Sequence, residues 1–177
     1  VFRPGQWVIS AQSDPPAILE QMAHQVEAKW FSIARDFSVI RRELKGEHKV
    51  YVKGVNTDEF VSRSGLHLSV QAAAVRCAEL MRNILPLNSK AIHDGVSNTF
   101  LPGRFEFWSD PLPCVFDVAH NPQAAEFLAK QLRQFHPGAR VVAVVGMSKD
   151  KNISETLRPL LSLIQRWYTA SLMGHRG

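Results

Sequence analysis

The hydrophobic pattern opens with a turn at Arg3-Pro4-Gly5 that feeds a strand, Trp7-Val8-Ile9-Ser10, because Pro-Gly punctuates the chain and β-branched residues follow. Ser13-Asp14-Pro15-Pro16 then supplies cap and first-turn residues for a helix in which Ile18, Leu19, Met22, Val26 and Trp30 recur at helical spacing. Residues 31 to 62 carry short strand candidates, Trp30-Phe31-Ser32-Ile33 and Lys49-Val50-Tyr51-Val52, between polar and charged turns, the pattern of a small β-meander. From Val70 to Leu85 the period returns to helix, with Ala74, Cys77, Ala78, Met81 and Leu85 on one face and a stop before Pro86. The stretch through Asn88, Asp94, Gly95, Ser97, Asn98, Pro102 and Gly103 reads as a loosened connection, and a domain boundary is placed near residue 100.

Beyond it the pattern is more regular. Pro113 to Ala119 is a buried-strand run; Asn121-Pro122 opens a helix with Ala124, Ala125, Leu128, Leu132 and Phe135 on its apolar face; Pro137-Gly138 stops it. Val141 to Val145 is a second continuous apolar strand, Ile153 to Ile164 a second helix, and Trp167 to Leu172 a third strand. This order predicts an α/β fold with a mainly parallel, doubly wound sheet covered on both faces, with too few strands to be finished. No internal repeat interrupts it.

Composition narrows the class. The 177 residues are 45% hydrophobic and 21% charged, enough for one well-packed domain or two small ones. No apolar run approaches the roughly 20 residues that span a bilayer, and the first residues lack a signal-peptide layout, so the default address is cytoplasmic and no membrane is involved. The chain begins at Val1 rather than Met and ends on Gly174-His175-Arg176-Gly177 just after a strand-like run, so both ends read as cuts. Cys77 and Cys114 lie in apolar surroundings without metal-ligand spacing and read as buried free thiols. The net charge of +5 raises a nucleic-acid partner. Its distribution argues against one, because the densest basic groups, Arg41, Arg42 and Lys45, then Lys149 and Lys151, have no interleaved aromatics and no binding module around them.

In open parallel sheets, ligands bind at the carboxyl ends of the strands, where Asp117, His120 and Asn121 fall. Asp117 ends an apolar strand, where a carboxylate needs a partner. His120 and Asn121 stand at the turn into a helix whose free N–H groups favour an anion, although Asn121-Pro122 is also an ordinary cap followed by proline. Arg104 follows Leu101-Pro102-Gly103 at the boundary, positioned to pair with Asp117 or to reach a nucleotide. Gly146-Met147-Ser148 reads equally as a backbone approach to a ligand or a plain turn, and Lys149, Asp150 and Lys151 as a solvated loop. The sequence contains no Gly-x-x-x-x-Gly-Lys-Ser/Thr phosphate loop, no paired acid/base carboxylates, no His-Glu-x-x-His and no Gly-x-Ser-x-Gly. The residues alone lead to part of an α/β ligand-binding protein.

Leu101-Pro102-Gly103-Arg104-Phe105 followed by Val115-Phe116-Asp117-Val118-Ala119-His120-Asn121-Pro122 resembles the folylpolyglutamate synthase/dihydrofolate synthase family, a branch of the Mur ligase superfamily. Phe2-Arg3-Pro4-Gly5, Arg35-Asp36-Phe37, Val144-Val145-Gly146-Met147 and Arg166-Trp167-Tyr168 agree in the same order. The resemblance implies that residues 1 to 99 are the end of a central ATPase domain and 100 to 177 the start of a Rossmann-like carboxy-terminal domain, with ATP in the cleft between them. Arg104, Asp117 and His120 match nucleotide-contacting positions, and Gln71 stands where an asparagine usually faces the adenine. Asn121 is kept as a cap. Further departures are Lys149-Asp150-Lys151-Asn152, in place of an Asp-Lys-Asp sequence, and His175, where proline usually precedes Arg-Gly. The implied reaction is phosphorylation of a dihydropteroate or folate carboxylate by ATP, with Mg²⁺ bridging the phosphates, then attack of the L-glutamate amine on the acyl phosphate. The phosphate loop and metal ligands are expected upstream of Val1, so no catalytic or metal-ligating residue is assigned, the chain alone is expected not to turn over, and the protein is expected to be a monomer. Two alternatives stand beside this reading: another Mur-type amide ligase, acting on cell-wall precursors or cyanophycin, and a non-catalytic α/β binding or interaction module or relic of a broken gene.

Overall fold

The computed structural model describes residues 2–44, 47–54, 59–61 and 65–173, and the chain divides into two units, Val1–Phe100 and Leu101–Gly177. Lys45 and the terminal segment with His175, both singled out in the sequence, lie outside the described residues.

In the first unit β1 (Trp7–Ser10) pairs in parallel with β2 (Lys29–Ser32), and α1 (Ala17–Gln25) is the crossover that a parallel pair requires. Trp30, which the sequence offers both to the helical stripe and to a strand candidate, therefore belongs to the strand, opposite Val8. It is buried with Ala23 and Ala28 against Phe2, Val8 and Val26, while Ile18, Leu19 and Met22 are exposed. α1 starts after Pro16 with no side-chain cap. β3 (Ser38–Leu44), β4 (Glu47–Lys53) and β5 (Glu59–Val61) form an antiparallel meander within the predicted 31–62 stretch, but of the two strand candidates named there only Lys49-Val50-Tyr51-Val52 belongs to it; Trp30-Phe31-Ser32-Ile33 overlaps β2, in the parallel pair.

α2 (Leu68–Met81) buries Gln71, Ala72 and Val75 rather than the predicted Ala74 and Cys77 face. The run Ala72-Ala73-Ala74-Val75 is apolar all round, so period alone does not choose the face; buried Val50 and Val52 of β4 do. The correction extends to the thiols: both are free, but Cys77 is exposed and Cys114 half-buried. The connection expected near residue 90 is instead a helix, α3 (Ser89–Asn98), capped by Asn88, whose side chain accepts the Ala91 N–H at 2.8 Å. Ile92 joins the core formed by Ile33, Phe37, Val50, Val52, Ala72 and Val75.

In the second unit β6 (Glu106–Trp108) pairs antiparallel with β7 (Cys114–Phe116), α4 (Pro122–Phe135) follows, and β8 (Val141–Val145) pairs in parallel with β9 (Ile164–Thr169). The expected parallel order is realised between β8 and β9, whereas β7, among the described residues, takes only β6 as its neighbour. The helix predicted to reach Ile164 stops early, as α5 (Ile153–Leu157) and a 3₁₀ turn (Arg158–Leu160), because Pro159 has no N–H to continue the ladder. Ala125, Ala129, Leu132 and Leu160 form the core, with Phe105, Val115 and Trp167 packed on it. Val142 and Val144 remain 54% and 76% exposed, so one face of β8 is open among the described residues, against the expected two-sided cover.

Candidate functional site

The two sequence motifs of the second unit meet through backbone hydrogen bonds. Asp117, one residue past β7, accepts the Phe105 N–H on Oδ2 and the Ala119 N–H on Oδ1, each at 2.8 Å. Val118 N–H donates to the Gly103 carbonyl at 2.9 Å. The two bonds to Asp117 are charge-assisted and satisfy a half-buried carboxylate at a strand end. Gly103 and Phe105 both adopt positive φ, +67° and +47°, so Arg104 sits at the tip of a tightly wound turn. A left-handed phenylalanine persists only where its surroundings fix it; here Asp117 holds its N–H and its ring packs on the core of the unit.

Arg104 is exposed, and among the described residues its guanidinium has no ion-pair or hydrogen-bond partner. The pairing with Asp117 considered from the sequence does not occur; Asp117 accepts from two backbone amides instead. His120 Nδ1 lies 3.0 Å from the Val118 carbonyl, which can only accept, so Nδ1 carries a proton; in the neutral ring Nε2 is then an acceptor, and the ring is exposed. Asn121 is the helix cap it was read to be: its Oδ1 accepts the Ala124 N–H at 2.9 Å, and Pro122 opens α4.

Gln71 belongs to the other unit. It is 3% exposed and donates from Nε2 to the Leu66 carbonyl at 2.8 Å. Gly146 is explained by packing, since a Cβ there would lie 2.9 Å from Leu172 Cδ2 and 3.2 Å from the Ala170 carbonyl. Lys151 pairs with Asp150 at 3.1 Å on the surface.

Glu106 is the member of this site that sequence reasoning missed. Its Oε2 accepts the Gly103 N–H at 2.8 Å and its Oε1 the Trp108 indole N–H at 2.9 Å. The Gly103 amide first, and the indole second, hold its carboxyl below the ordinary value of 4.5. The available signal is the Glu-x-Trp spacing, which puts both side chains on one face of β6. No group of three or more His, Cys, Asp or Glu side chains converges as a metal site among the described residues.

Residues 103–176 match the Mur ligase glutamate ligase domain, which defines the class of the second unit. The dihydrofolate synthase/folylpolyglutamate synthase of Escherichia coli is 44% identical over 105 residues, 59% of this chain and 25% of that protein. The structure of E. coli FolC in complex with DHPP and ADP superposes with a TM-score of 0.81 at 28% identity, over 99% of this chain and 41% of that one. A bifunctional folylpolyglutamate synthase/dihydrofolate synthase with Mn, AMPPNP and L-glutamate bound gives 0.77 at 29% identity, over 99% and 41%. The second unit thus carries a Mur ligase glutamate ligase domain, and the chain as a whole is similar to folylpolyglutamate synthases/dihydrofolate synthases in sequence and in structure. It spans about two-fifths of the length of the solved relatives it matches.

Proposed function

We propose that the chain contributes the carboxy-terminal-side nucleotide contacts of an ATP-dependent ligase that joins L-glutamate to dihydropteroate or tetrahydrofolate in folate biosynthesis. In that reaction the substrate carboxylate takes the γ-phosphoryl group of ATP, the glutamate amine attacks the acyl phosphate, and phosphate leaves as the amide forms. The observation that carries the reading is the knot of hydrogen bonds between Gly103–Phe105 and Asp117–Ala119, which leaves Arg104 and His120 available beside the start of a 14-residue helix. Relatives that superpose over this whole span are known with ADP or AMPPNP bound.

In this assignment Arg104 supplies a planar donor fork for a phosphate or ribose oxygen, and His120 an acceptor at Nε2. Asp117 uses two of its roughly four lone-pair sites on backbone amides, so its own contact with the nucleotide comes through those that remain. Gln71 is assigned to the adenine by family position, with its Nε2 already donating to the Leu66 carbonyl at 2.8 Å. Mg²⁺ is the proposed metal and would neutralise phosphate charge. The described residues offer no converging ligand set for it, so its ligands are assigned to parts of the relatives outside the shared span, and no step here is routed through it. The same reading assigns residues 1 to 99 to the ATPase domain, a cytoplasmic address and a monomer; among the described residues no helix is long and apolar enough to cross a membrane. With no phosphate loop in its sequence, the purified chain is expected to bind nucleotide without turnover.

The test is NMR of the 177-residue chain titrated with ADP. The assignment predicts perturbation of the 103–105 and 117–121 amides, the Arg104 side chain and the His120 ring. Perturbation confined elsewhere, or none at saturating ADP, contradicts it.

A further inference from the structure

Every backbone N–H around the Gly103–Phe105 turn already has an acceptor. Gly103 N–H bonds to Glu106 Oε2 at 2.8 Å, Arg104 N–H to the Leu101 carbonyl at 3.2 Å, and Phe105 N–H to Asp117 Oδ2 at 2.8 Å. The turn therefore does not act as a nest of free amides for an anion, as glycine-containing turns often do. What it presents to solvent is the Arg104 side chain, and its geometry depends on the two carboxylates that anchor the flanking amides.

The two anchors differ in kind. Asp117 reaches across from the end of β7 and also ties Ala119, so it serves the junction as a whole. Glu106 acts within the turn. It is the residue after Phe105, it folds back onto Gly103, and its second oxygen is fixed by the Trp108 indole on the same strand. Gly103 is the most permissive residue of the turn, at φ +67°; its carbonyl is tied to the Val118 N–H at 2.9 Å, and Glu106 supplies the acceptor that fixes its own N–H. The carboxyl is held below its ordinary value by these same two donors, so at neutral pH the acceptor is a full carboxylate.

We propose that Glu106 is a positioning residue for nucleotide binding: by accepting the Gly103 N–H while braced by Trp108, it pre-orders the turn that presents Arg104. This rests on the nucleotide reading above and deepens it. Ordering Arg104 before the ligand arrives lowers the conformational cost of binding, so Glu106 influences affinity without touching the ligand.

The experiment is a double-mutant cycle in the full 177-residue chain, with Glu106→Ala, Glu106→Gln, Arg104→Ala and the Glu106→Ala/Arg104→Ala pair. Folding is checked by circular dichroism, ADP affinity by calorimetry, and ordering by amide exchange at Gly103 and Phe105. Glu106→Gln, which keeps an acceptor for Gly103, guards against a misfolded alanine variant. The expected results are Gly103 exchange faster by about tenfold in Glu106→Ala, ADP affinity weaker by about three- to tenfold, smaller changes in Glu106→Gln, and no further loss when Arg104 is already alanine. Unchanged Gly103 exchange overturns the proposal, as does an equal loss of affinity with and without Arg104. A wild-type chain that binds no ADP overturns the nucleotide reading itself, and Gly103 exchange then still decides separately whether Glu106 orders the turn.

Discussion

Asp117 and Phe105 are joined by a 2.8 Å hydrogen bond from a backbone amide to a carboxylate, and that bond holds a phenylalanine at φ +47°. Twelve positions separate them in sequence. The bond makes the Pro-Gly-Arg-Phe segment and the Asp-x-Ala-His-Asn-Pro segment one structural object, and the predictions that follow concern its parts.

Asp117→Ala removes the acceptor from the Phe105 and Ala119 amides together. Bonds to a charged acceptor contribute about 1.5–3 kcal/mol each, and the half-buried amides left behind regain some solvent, so a loss of about 2–3 kcal/mol is expected. Urea denaturation measures it. An unchanged midpoint would mean that the turn does not depend on this carboxylate.

Gly103→Ala faces two costs that can be separated. The left-handed backbone at φ +67° costs an L-residue about 1–2 kcal/mol. The new Cβ also meets Val118 Cγ1 at 2.9 Å. Val118→Ala in the same chain should recover the steric part and leave the backbone part. Full recovery, or none, in thermal melts would show that one of the two contributions is misassigned.

Asn121→Ala should cost about 1 kcal/mol of stability, because the Ala124 N–H loses its cap, and Asn121→Ser should recover most of it. Nucleotide affinity should change little, since no ligand contact is assigned to this side chain. An affinity loss larger than the stability loss would move Asn121 from the cap into the binding set.

The acid response follows from Glu106. Its folded-state value lies below the ordinary 4.5, so the unfolded chain takes up the proton first as pH falls. The stability it contributes is therefore complete above the unfolded value and disappears as pH drops through the folded one. Glu106→Gln should flatten this part of the stability profile below pH 4.5 and leave the slope near neutrality unchanged. A flattening confined to neutral pH would contradict the assignment.

Much of this was legible in the sequence, for identifiable reasons. β1, β8 and α4 were readable because Pro-Gly, Asn-Pro and β-branched runs are local signals, and the Asn121 cap is set by local chemistry alone. α3 was not readable, because Gly95, Ser97 and Asn98 are weak helix formers and the Asn88 cap and the burial of Ile92 against the core override them. The buried face of α2 escaped because a run of alanines carries no period and the strands beneath it choose the side. Asp117 and His120 are found at a strand end by topology, but of the two roles open to Arg104 the pairing with Asp117 is not the one realised: a backbone amide leaves no mark on the sequence, whereas an arginine does. Glu106 escaped for the same reason, since its principal partner is the Gly103 amide.

The most direct test of the central claim, that Arg104 is held by this turn as a nucleotide contact, is calorimetric titration of ADP into the 177-residue chain and its Arg104→Ala variant under identical conditions. The account predicts saturable binding by the wild type and a loss of about tenfold in the variant, from one charge-assisted contact, with the melting temperature unchanged because the guanidinium has no partner within the described residues. Equal affinities, or no binding by the wild type, would contradict it.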